Sequence, residues 1–289
     1  MQIQDTPRAT QTWPEDIGLP PGLPEGAEIQ HVEFVTGADA AQTTLMEFKE
    51  PHPCRAVLVA GPAAAPPAGL TMLLVPTTDQ EDPELVANVW SWVEPGVPQE
   101  LRSGLLIMLQ GARIIWSPGR AGLIASAERL DALRRAVIDF SFFDGEARRF
   151  EAELSEAWPH LEADTPLAFR FDAQAMPRRD ELARRFQRVI GLRARLVQIS
   201  PAVNSPPVHP PTLASQLKER LKERSRLAER IEFIDDQLDL LERVYEMCGH
   251  RSSEHVIAQN EARLEWIVII LLATETVALL VDLMAANRI

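Results

Sequence analysis

Cysteine and lysine are scarce in this chain of 289 residues, with two and three copies. Two cysteines, Cys54 and Cys248, cannot build a disulfide framework, so a reducing compartment is expected. The formal net charge of −13 works against a main role in gripping phosphate, so no direct nucleic acid partner is expected. No linear catalytic signature is present: GxSxG, HExxH, GxxxxGK[ST] and GxGxxG are all missing. The first 26 residues hold five prolines, four acids and only Arg8 as a base, which excludes a basic, apolar signal peptide and an Arg-rich transit peptide. They read as a disordered, proline-stiffened tail.

What is present suits a globular chain with a real core: 46% hydrophobic and 25% charged residues. Short β-rich runs at 32–35, 55–60 and 70–75 are bounded by Pro or Gly. Runs at 105–109 and 112–116 flank Gln110-Gly111, a hairpin turn signal. Asp82-Pro83 is a helix start, with a capping acid before a proline at the first position. Helical periodicity follows at 127–138 and 146–158, and again from Pro177 over 180–197. A second proline cluster at 201–211 reads as an extended linker.

Beyond the linker the composition changes. Residues 213–247 contain no Gly or Pro. Leu227, Ile231, Ile234, Leu238, Leu241, Tyr245 and Cys248 advance alternately by four and three, the spacing of a coiled-coil seam. The first six are candidate oligomerisation residues. Gly249 is expected to end this helix, and Ser252 or Ser253 to cap the next, giving a helical hairpin. Residues 264–286 are apolar on nearly all sides and, as a helix, would span roughly 34 Å against a hydrocarbon core of about 30 Å. Trp266, Ile267, Ile270, Leu271, Glu275 and Leu279 are the candidate membrane-helix residues. Glu275 near the middle costs about 2.5–3.5 kcal/mol, while about ten aliphatics return roughly 0.3–0.6 each, so insertion is marginal. In a closed hairpin Glu275 would instead face Ser225, between Arg224 and Arg226, which favours a helix buried within protein.

Candidate chemistry is thin. His52 and Cys54 form one close pair and Cys248 and His250 another, but a zinc site needs about four ligands and nothing unites the pairs. The basic run at 218–230 reads as a solvated face, with anionic headgroups or an acidic partner as its functional readings. No metal, cofactor or catalytic residue is assigned, and the chain is expected not to be an enzyme.

The C-terminal block resembles the end of the "required for meiotic nuclear division" family. The resemblance covers about 213–284 and is carried by RLEWIVI at 263–269 with Arg263 and Trp266, and by Glu275 where that family keeps an intramembrane acid. It is weak upstream. It implies a single-span, C-terminally anchored, oligomeric protein without catalysis. Without a transit peptide a bacterial relative is expected, and the 26 arginines against three lysines suit a GC-rich genome.

The expected fold class is α+β. An N-terminal mixed α/β domain (27–200) follows the tail (1–26). The linker (201–212), a coiled-coil helix (213–248) and a terminal helix (252–289) with a transmembrane segment at 264–286 complete the chain. The expected function is a membrane-anchored scaffold or assembly protein acting as a homo-oligomer. Its partners would be membrane lipid and a protein bound by the α/β domain, which would face the cytoplasm from a bacterial cytoplasmic membrane. The alternative is a soluble, cytoplasmic homo-oligomer with the terminal apolar helix buried between subunits.

Overall fold

The computed structural model describes residues 18–37, 43–61, 63–64, 66–77, 82–97, 103–172, 174–206 and 208–286, with side chains described as far as 278. The first 17 residues of the expected tail lie outside this set. The fold is α+β, with a seven-stranded sheet and five α-helices among the described residues. Two compact units divide the chain, each discontinuous: Met1–Glu153 with Ala194–Asp235, and Leu154–Arg193 with Asp236–Ile289.

The first unit is built on the sheet. Its strands are β1 (Glu28–Val35), β2 (Thr43–Phe48), β3 (Cys54–Val59), β4 (Gly69–Pro76), β5 (Leu105–Leu109), β6 (Ala112–Ser117) and β7 (Arg120–Ala125). Their order is β2-β3-β1-β4-β7-β6-β5, and β4 with β7 is the parallel pair. The central strands are apolar on both faces, as a doubly covered sheet requires: every residue of β7 is buried. The hairpin expected at Gln110-Gly111 is present. Both residues have positive φ, 50° and 84°, so the turn twists with its strands.

One face of the sheet receives α1 (Pro83–Val93), which starts where Asp82 accepts a hydrogen bond from the Glu84 amide at 2.9 Å. Leu85, Val89, Trp92 and Val93 recur on one side of this helix and pack with Leu73, Val75, Ile115 and Ile124. Gly122 permits the approach, since a Cβ there would fall 2.2 Å from Val89 Cγ1. The opposite face is aromatic and is closed by α2 (Ala127–Phe169). Phe142 stacks on Phe48 with centroids 3.9 Å apart, Phe140 meets Trp116 edge-on, and Trp116 Nε1 donates to Ser141 Oγ at 2.9 Å. The segments expected at 127–138 and 146–158 thus belong to one helix of 43 residues.

α3 (Arg179–Val203) carries Pro201 in its last turn, so the helix continues into the expected linker. Thr212 and Ser215 form a capping box that starts α4 (Leu213–Ser225). Buried Lys222 of α4 donates to the carbonyls of Val203 and Ala202 at 2.8 and 3.3 Å, closing the end of α3. Burial lowers the pKa of its ammonium group. Arg226, at φ 53°, ends α4 in the left-handed region.

α5 (Leu227–Ala286) then runs for 60 residues without interruption. This corrects the expected hairpin. Gly249 lies inside the helix, Ser253 Oγ donates back to the Gly249 carbonyl at 3.0 Å, and Ser252 is buried rather than capping. One interior glycine costs only about 1 kcal/mol, too little to end a helix of this length.

The transmembrane segment expected at 264–286 is corrected too: among the described residues no helix is long and apolar enough to cross a membrane. The 18 residues ending at Ala278 carry Glu261, Arg263, Glu265 and Glu275. Leu279 and the rest of that expected segment lie outside the residues whose side chains are described. The tail anchor and its lipid contact therefore lose their support.

Candidate functional site

Three features could carry function: the cysteine neighbourhoods, the buried ion clusters and the apolar surface of α5. Both cysteines are free and buried. Burial, followed by the nearby Glu146 carboxylate, raises the pKa of the Cys54 thiol. Burial and then Asp164 push Cys248 up to about 11. Each thiol is thereby kept protonated and poorly nucleophilic at neutral pH. An open cavity of about 360 Å³ beside Cys54 is lined by Glu47, Phe48, Lys49 and Arg55, and Glu47 is already paired with Arg55 at 3.2 Å. Among the described residues no group of three or more His, Cys, Asp or Glu could hold a metal ion.

The buried charges are organised as closed sets. In the first unit Asp144, 2% exposed at its side chain, accepts from Arg148 Nε at 2.7 Å and from Arg230 Nη1 at 2.6 Å. Arg230 also grips Glu151 at 2.7 and 3.1 Å. Burial opposes the Arg230 charge, but Glu151 and Asp144 outweigh it and hold the pKa above its ordinary value.

In the second unit Asp164 is fully buried and takes both Arg178 and Arg185. Tyr245 lies beside it, its phenol pushed up to about 12 by burial first and by Asp164 second. Cys248 Sγ points to the Asp164 carbonyl at 3.7 Å. Each acid is met by its own cations, so both sets work as internal fasteners. Sequence reading missed them because their members stand far apart in the chain: 144 with 230, and 164 with 178, 185 and 245.

The seam residues are all covered. Leu227, Leu238, Leu241 and Cys248 are 0% exposed, and Ile231, Ile234 and Tyr245 are at 4%, 1% and 3%. The heptad spacing therefore serves packing within this chain, and these side chains are not free to join a second copy.

The end of α5 is the reverse. Leu264, Trp266, Ile267, Val268, Ile269, Ile270, Leu271, Leu272 and Val277 are each between 52% and 65% exposed. Glu275 is exposed among them. Thr274 and Thr276 spend their hydroxyls on the Leu271 and Leu272 carbonyls, each at 2.7 Å. A contiguous apolar surface of this kind marks an interaction site.

No family model matches the chain, and no curated protein matches it. Among solved structures it is similar to one described as "structure of the full-length CmaX protein". The identity is 14%, over 74% of this chain and 78% of that one, with a TM-score of 0.39, a likeness too slight to assign a fold family or a function.

Proposed function

We propose that this chain is a non-catalytic assembly protein that forms a homo-oligomer, with the apolar end of α5 buried between subunits. The exposure of nine large apolar side chains at 264–277 carries this reading. A helix apolar on nearly all sides is stable only when covered, and burial of each such side chain returns about 1.5–3 kcal/mol. The buried acids Asp144 and Asp164 are each held by two arginines, which suits a structural role.

The test is the mass of the full chain in detergent-free buffer, by sedimentation or light scattering. A multiple of 32.2 kDa that persists on dilution is expected. A single-chain mass would overturn the reading, as would capture of a single-chain species by phospholipid vesicles in place of self-association.

A further inference from the structure

We draw no further inference here: the strongest candidate, the open cavity of about 360 Å³ where β2 ends and β3 begins, is lined by exposed Lys49 and by Arg55 already paired with Glu47, and nothing in it among the described residues points to a ligand.

Discussion

Two stretches of the same helix carry apolar residues at heptad spacing and meet opposite fates. In the stretch from Leu227 to Cys248, the seven seam side chains are at most 4% exposed, covered by their own chain. In the stretch from Leu264 to Ala278, large side chains are more than half exposed. Spacing alone therefore does not tell a covered seam from an exposed one. The difference lies in the other faces of the helix. Between the seam positions stand charges with partners inside the fold: Arg230 with Asp144 and Glu151, Asp239 and Glu242 with Arg193. In the terminal stretch the other faces carry Ile267, Val268, Leu271 and Leu272, all exposed, with Glu275 between Thr274 and Thr276.

The sharpest way to break this contrast is to charge the seam. Ile234→Asp or Leu238→Asp places a carboxylate where the native side chain is 1% or 0% exposed. Each should lower the unfolding free energy by about 4 kcal/mol or more, read by urea or thermal denaturation. A loss below about 1 kcal/mol would mean that the seam opens to solvent. Then the two stretches would not differ in kind.

The next effect belongs to Asp164, whose burial depends on Arg178 and Arg185. Asp164→Asn keeps the shape and removes the charge that both guanidinium groups face. Breaking a buried pair from one side costs about 3–5 kcal/mol, and since both arginines keep some solvent contact the lower figure is expected. Denaturant melts of the variant measure it, and a change within about 0.5 kcal/mol would show the cluster to be ornamental.

Alkaline pH probes the same place. The Tyr245 phenol is raised from 10.0 to about 12 and the Cys248 thiol from 9.0 to about 11, burial being the first cause in both. A raised folded-state pKa adds stability that is whole below the unfolded value and lost as pH climbs through the folded one. Stability should thus begin to fall above pH 9 and continue to about pH 12. The Tyr245 share is on the order of 2 kcal/mol. Lys222, lowered by burial, pulls the other way over part of that range. Subtracting the Tyr245→Phe profile from the wild type cancels it and leaves a slope between pH 10 and 12. Parallel profiles would remove the tyrosine from the account.

Much of the first unit was legible in the sequence because its signals are local. Asp82-Pro83 starts α1, Gln110-Gly111 turns the hairpin, and the runs near 55–60, 70–75, 105–109 and 112–116 are strands. Strand β7 went unseen because RAGLIA carries no alternation: a strand covered on both faces loses its period-two signature. The break in the C-terminal helices was misplaced for a related reason. Gly249 looks like a stop but lies inside α5, while Arg226 takes the left-handed conformation although its residue type disfavours it. The apolar end of α5 was plain from composition; its exposure was not, because exposure depends on neighbours that composition does not locate.

The smallest effect tests the contrast most directly, by making one substitution in both stretches. Leu238→Gln removes a fully buried side chain's apolar contacts and leaves an amide without an arranged partner, so a loss of about 3 kcal/mol or more is expected. Leu272→Gln alters a side chain that is 58% exposed and lies on the side of α5 away from Trp266 and Ile270. There the amide keeps its water and the helix keeps a good helix former, so the unfolding free energy should move by less than about 0.5 kcal/mol. Both are read in the same denaturant series at one protein concentration, so that any shared change in assembly affects them alike. A loss above about 1.5 kcal/mol at Leu272 would mean that the outer side of the terminal stretch is also covered in the assembled protein. The two stretches would then differ only in whether one chain or several supply the cover.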